Sequence, residues 1–192
     1  MTTNFPCTYC ESILTDIGRI VVWKPADFEL SEKVNHKKKE RERFEILRML
    51  NSMGYSITNL LYKPSGQPML HENSNEFISL SHSKGWFAIF IATVPIGIDI
   101  EVERASITNG KNWFVNPNEI DSFMSQEELH IVWGAKEAFY KKKEGQLSDL
   151  RNEVTVKQIL DEILLLEHNG IQAKLFHRKI ENAYLVWTDS TG

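Results

Sequence analysis

The stretch from Phe77 to Val102, FISLSHSKGWFAIFIATVPIGIDIEV, decides how this chain is read. Phe77 to Leu80 and Trp86 to Val94 read as paired strands around a turn at Ser81 to Gly85, and Ile96 to Val102 reads as a further strand. Side chains alternate along a strand. Asp99 and Glu101 therefore project from one face about 6 to 7 Å apart, while Ile98 and Ile100 face the other way. Two carboxylates converge on one side.

Upstream, Ile17 to Trp23 is rich in β-branched residues, ends before Lys24-Pro25 and reads as a strand. Ser31 to Met53 carries Phe44, Leu47, Met49 and Leu50 at roughly helical spacing, with Gly54 as a stop signal. Lys63-Pro64-Ser65-Gly66-Gln67-Pro68 is a run of turn formers. Downstream the pattern turns helical from Asn118. It is clearest over Gln126 to Lys143 and is closed by Glu144-Gly145. Val154 to Val156, Glu162 to Glu167, Gln172 to Phe176 and Ala183 to Trp187 then read as strands, with Asn169-Gly170 as a hairpin turn that tolerates positive φ. The order strand, helix, strands, helix, strands makes the class α+β. No repeat, low-complexity segment or Gly/Ser linker interrupts it, so two halves would be packed together, 1–95 against 96–192, with a seam near Val94 to Gly97.

The 192 residues, 42% hydrophobic and 25% charged, have the composition of a folded chain rather than a disordered tail or a membrane protein. The longest nearly apolar run, Phe87 to Ile98, contains Thr93 and Pro95 and falls short of the roughly 20 residues a helix needs to span a bilayer. The first residues lack a basic start followed by an apolar stretch, so the expected location is cytoplasmic. Cys7 and Cys10 form a lone C-x-x-C in a polar leader. With no second cysteine pair to complete a zinc site and no strand-to-helix setting for a redox motif, they read as ordinary residues. The formal charge of −4 argues against a nucleic-acid partner. Between Lys33 and Arg48 lie seven basic residues (Lys33, Lys37, Lys38, Lys39, Arg41, Arg43, Arg48), with His36 among them. Such a run is either a solvated helix face or a docking site for a small polyanion such as a nucleotide phosphate.

Three groups of residues carry chemistry. In Gly97-Ile98-Asp99-Ile100-Glu101, the paired acids suit a hard cation such as Mg²⁺, which takes one or two carboxylates with waters and substrate phosphates. In the helix Trp133-Gly134-Ala135-Lys136-Glu137-Ala138-Phe139-Tyr140-Lys141, Trp133, Glu137 and Lys141 share a face. On a surface that pair is an ordinary i,i+4 contact, but aromatic bulk on several sides implies a largely buried helix whose charges have assigned partners. Ser79-Leu80-Ser81-His82-Ser83, at a strand-to-turn junction, offers hydroxyls and an imidazole to a phosphate. The chain has no G-x-S-x-G elbow, and neighbours along a strand point apart, so nucleophilic serine catalysis is set aside.

Taken in order, S-H-S, G-I-D-I-E and W-G-A-K-E-A-F-Y-K resemble the motifs of the 4′-phosphopantetheinyl transferase superfamily, in its surfactin-type, fused two-half form. The resemblance extends to the helix with Arg43 and Glu45, the Gly66-Gln67-Pro68 turn, and Phe114 with Glu119. It implies a pseudo-dimer of two similar halves, each an antiparallel sheet packed on a long helix, with the site at the internal seam of a monomer. It also implies a reaction: Mg²⁺-dependent transfer of the phosphopantetheine arm of coenzyme A, as co-substrate, to a serine of an acyl or peptidyl carrier protein, releasing 3′,5′-ADP. By position, Asp99, Glu101 and Glu137 correspond to the Mg²⁺ ligands, Lys136 and Lys141 to the two lysines of the helix motif, and Ser81 and His82 to the element touching coenzyme A phosphate. Arg43 corresponds to the arginine near the phosphoadenosine end, and Glu119 to an acid proposed to help deprotonate the serine. Gln67 stands where many members carry lysine, so one cation near the cofactor is replaced by a neutral amide. That departure supports the alternative of a catalytically silent coenzyme A-binding protein of the same fold.

Overall fold

Lys84 and Gly85, at φ 44° and 86°, make a two-residue turn that joins β5 (Phe77–Ser83) to β6 (Trp86–Ala92). The expected turn at Ser81 to Gly85 is thus shorter, and Ser81 and His82 lie within the strand. The computed structural model describes residues 6–26, 28, 35–56, 58, 60–71, 75–119, 122 and 125–190, with backbone only for 35–37. Ser31 and Lys33, and the side chains of His36 and Lys37, lie outside the described residues.

The class is mixed α+β with antiparallel sheets. A four-stranded sheet has the order β1 (Cys7–Leu14), β2 (Gly18–Pro25), β6, β5. A five-stranded sheet runs β7 (Ile98–Val102), β11 (Ala183–Thr188), β10 (Ile171–Ile180), β9 (Ile163–His168), β8 (Val154–Ile159). A two-stranded ribbon pairs β3 (Leu61–Tyr62) with β4 (Pro68–Met69) across the turn formers. The helices are α1 (Asn35–Ser52), α2 (Ile107–Gly110) with a 3₁₀ turn at Lys111–Trp113, α3 (Gln126–Lys142) and α4 (Leu150–Glu153). No helix among the described residues is long and apolar enough to cross a membrane.

The leader is a strand. In β1, Cys7 packs beside the cluster around Trp23 and Cys10 is exposed; both are free thiols. The alternating half-buried and exposed pattern of CTYCESIL is that of an edge strand with one covered face. The periodicity of α1 also shifts from the expectation. Ile46, Met49 and Leu50 are buried, whereas Phe44 faces solvent with the Arg48 guanidinium over its ring.

Alternation sorts the core into three clusters. Ile20, Val22 and Phe90 of the first sheet meet Ile98, Ile100 and Leu185 of the second. Val21, Trp23, Phe87 and Ile89, from the opposite face of the first sheet, share a cluster with Ile46, Met49 and Leu50 of α1. Leu164, Leu175, Tyr184 and Val186 share one with Leu129, Val132, Ala135 and Phe139 of α3. Because Ile98, Ile100 and Val102 point into the cluster between the sheets, Asp99 and Glu101 must point away from it.

α3 starts on a capping box. Ser125 Oγ accepts from Glu128 N (3.1 Å), and Glu128 Oε2 accepts from Ser125 N (2.9 Å). Past its far end, Glu144 and Gly145 at φ 56° and 73° terminate the helix.

Candidate active site

β7 supplies Asp99 and Glu101, and α3 supplies Trp133, Glu137, Tyr140 and Lys141. With Ser81 and His82 of β5 and the turn Ser65 to Pro68, they line a cavity of about 520 Å³. The three acids named from sequence therefore come together, from a strand and a helix, on one wall.

Asp99 is 6% exposed. Its Oδ1 accepts from Ser81 Oγ (2.8 Å) and from Lys141 Nζ (2.8 Å), which also donates to Ile98 O (2.9 Å). Glu101 Oε1 lies 3.1 Å from Arg104 Nε. Burial, then the charge of Asp99, raises the Glu101 carboxyl above the usual range, against the pull of Arg104. Among the described residues Glu137 has no hydrogen-bond or ion-pair partner. Its carboxyl is pushed up by burial first and then by Asp99, and also by Glu101, with Lys141 opposing. A half-buried acid repelled by two others and bonded to nothing is a group that a cation stabilises. Among the described residues no three such groups form a ready-made metal cage. Lys141 holds Asp99 and Arg104 draws Glu101.

His82 stands on the other side of β5, its Nδ1 3.5 Å from Glu42 Oε1 and its ring tilted on Phe87. Burial lowers its pKa, with Glu42 opposing. His82 and Glu101 also border a second basin of about 540 Å³, which carries Lys38, Lys39, Lys84 and Arg104. Arg43 is exposed and lines neither space; its guanidinium lies 6.0 Å over the ring of Tyr62, which does line the first. Lys84 and Arg104 escaped the sequence reading. Their only signal was adjacency: one sits in the turn after S-H-S, the other three residues beyond Glu101.

Besides Arg43, two expected site residues lie away from both cavities. Lys136 and Glu119 are both 0% exposed and line neither space, their side chains paired at 2.8 Å in the interior. Lys136 sits on α3 one residue before Glu137, and a helix turns about 100° per residue, which carries it off the cavity wall. Phe114 is buried edge-on to Trp133. Gln67 Nε2 reaches Lys141 O (3.4 Å), and its buried Oε1 has no hydrogen-bond partner among the described residues. Compared with known proteins, the chain matches no family model and has no significant match among curated proteins.

Proposed function

We propose that this chain is a Mg²⁺-dependent 4′-phosphopantetheinyl transferase that moves the phosphopantetheine arm of coenzyme A to a serine of an acyl or peptidyl carrier protein, releasing 3′,5′-ADP. On this reading it is a cytoplasmic monomer of two similar halves, 1–95 and 96–192, each a sheet packed on a long helix, with the site between them. One observation carries the proposal: Asp99, Glu101, Glu137 and Lys141, drawn from two separate motifs, line one cavity.

The donor set suits a hard divalent ion, being three carboxylates of which two are raised by burial and, after it, by neighbouring carboxylates. Asp99, Glu101 and Glu137 would hold it, with Lys141 giving up part of its hold on Asp99. When bound, the ion supplies neutralising charge to the diphosphate. Lys141 adds a second positive charge at the same wall. The carrier serine oxygen attacks the phosphorus that bears the pantetheine arm, the bond from that phosphorus to the bridging oxygen breaks, and 3′,5′-ADP leaves with the electron pair. The serine proton goes to a carboxylate. Glu137 fits that role better than Glu119, because it faces the cavity and has a free acceptor. Lys38, Lys39 and Lys84 give the adjoining basin the charge to take the remaining phosphate.

Incubation of the full chain with coenzyme A, Mg²⁺ and apo carrier proteins should add the arm's mass to a carrier serine, read by intact-protein mass spectrometry. Uptake of coenzyme A without transfer to any carrier of the same organism favours the silent binding protein, to which Gln67 in place of lysine points. Asp99→Ala should lower transfer by about 100-fold or more, equivalent to roughly 3 kcal/mol of barrier. Full turnover in that variant would remove the metal assignment.

A further inference from the structure

Ser79, Ser81 and Ser83 lie two residues apart on β5, and all three reach the same neighbour. β7 is the edge strand of its sheet and pairs through β11 on one side. On its other side Ile98 N donates to Ser79 Oγ (3.1 Å), Ile100 N to Ser81 Oγ (3.1 Å) and Val102 N to Ser83 Oγ (3.2 Å). The hydroxyls thus do for β7 what a pairing strand's carbonyls would do.

A hydroxyl that accepts still has one proton to give. Ser81 gives it to Asp99 Oδ1 at 2.8 Å. Ser81 thus takes the N–H of Ile100 and binds the carboxylate of the residue before it. At Ser79 that preceding residue is Gly97, which has no side chain. Ser79 therefore supplies the same link between the strands without a carboxylate to hold. In this arrangement the single proton of Ser81 goes to Asp99.

We propose that Ser81 is a positioning residue that holds the Asp99 carboxylate for a divalent cation. The inference rests on the metal-dependent reading above and deepens it, by assigning Ser81 to an acid rather than to the cofactor. A side chain with its rotamer locked by a neighbour binds a metal without ordering itself at that moment, and the loss of such an outer partner weakens affinity by about 10- to 100-fold.

The test uses Mn²⁺ alone as probe, titrated into the full chain and followed by electron paramagnetic resonance, beside thermal denaturation. Ser79→Ala, Ser81→Ala and Ser83→Ala each strand one N–H of β7 and should lower the melting midpoint alike. Ser81→Ala should weaken Mn²⁺ binding by about tenfold or more, and Ser79→Ala by less than about twofold. Ser81→Thr keeps the hydroxyl and should recover most of the affinity. Equal loss in Ser79→Ala and Ser81→Ala, or wild-type affinity in Ser81→Ala, overturns the proposal. If Ser81→Ala does not fold, Ser81→Cys, of similar size but with a weak donor, is measured in its place against the same outcomes. Absence of Mn²⁺ uptake by the wild-type chain defeats the metal-dependent reading alone. Ser81 is then judged by crystal structures of Ser79→Ala and Ser81→Ala, where the Asp99 carboxylate should swing away only in the second. An unmoved Asp99 in Ser81→Ala overturns the proposal.

Discussion

Gly97→Ala is expected to lower the thermal midpoint by about 6–12 °C, from a cost of about 3 kcal/mol or more, and to open the candidate site with it. A Cβ built at Gly97 falls 1.8 Å from Ala138 O, 2.8 Å from Ala138 C and 2.9 Å from Lys142 N. All three are backbone atoms of α3, which cannot step aside by rotating a side chain. The helix must retreat from β7. Asp99 stands two residues along β7 from the clash, and Lys141 one residue before Lys142 on α3, so their 2.8 Å contact is lost in the same movement. Gly134→Ala is the comparison. Its added Cβ meets Val186 Cγ2 at 2.8 Å and Val186 Cβ at 3.3 Å, a buried side chain rather than backbone, and the midpoint should fall by less than in Gly97→Ala. Circular-dichroism melts of both variants check this, and a Gly97→Ala midpoint within about 2 °C of wild type would refute the close-contact account. The requirement for glycine here is a matter of contact, since Gly97 is not among the glycines at positive φ.

That contact explains how much of the site was readable in advance. The alternation of Ile98, Asp99, Ile100 and Glu101 already separates a core face from an acid face, and the core between the sheets takes the isoleucines. Helical spacing likewise aligns Trp133, Glu137 and Lys141, which line one cavity. These are properties of single elements, and a period of two or 3.6 residues exposes them. The partnerships between elements were not readable. Ser81 and His82 looked like turn residues because serine and histidine have little intrinsic preference for strands. Their place in β5 depends on β7 lying alongside to use the hydroxyls, a contact across 19 positions of sequence. The leader was misjudged for a related reason. Cys, Thr, Tyr and Glu alternate there without an apolar run, and only pairing with β2 makes a strand of them. In α1, Phe44 and Leu47 looked as apt for the core as Ile46 and Met49 until the sheet selected one face.

Glu119→Ala is expected to destabilise the fold by about 3–5 kcal/mol, the cost of leaving one member of a buried ion pair without the other. Glu119 Oε2 accepts from Lys136 Nζ (2.8 Å) and from Asn116 N (2.8 Å), and Oε1 accepts from Val156 N. One carboxylate thereby ties α3 to the loop before it and to β8. Without it two N–H groups stay inside the protein with no acceptor there, and the ammonium keeps only a long contact to Arg151 O at 3.4 Å. Burial already lowers the pKa of Lys136, with Glu119 opposing that shift, so the charge of this lysine depends on its partner. Lys136→Ala should cost a similar amount, and the double replacement less than the two single losses combined, since no lone charge then remains buried. Urea denaturation of the three variants measures this, and additive losses would contradict the pairing. The same variants decide whether Glu119 takes part in chemistry. Because its carboxylate lines neither cavity, transfer by Glu119→Gln should decline only as far as its folded fraction does. A loss of about 100-fold in protein shown to be fully folded would return Glu119 to the proton-accepting role and require the loop around it to open toward the cavity.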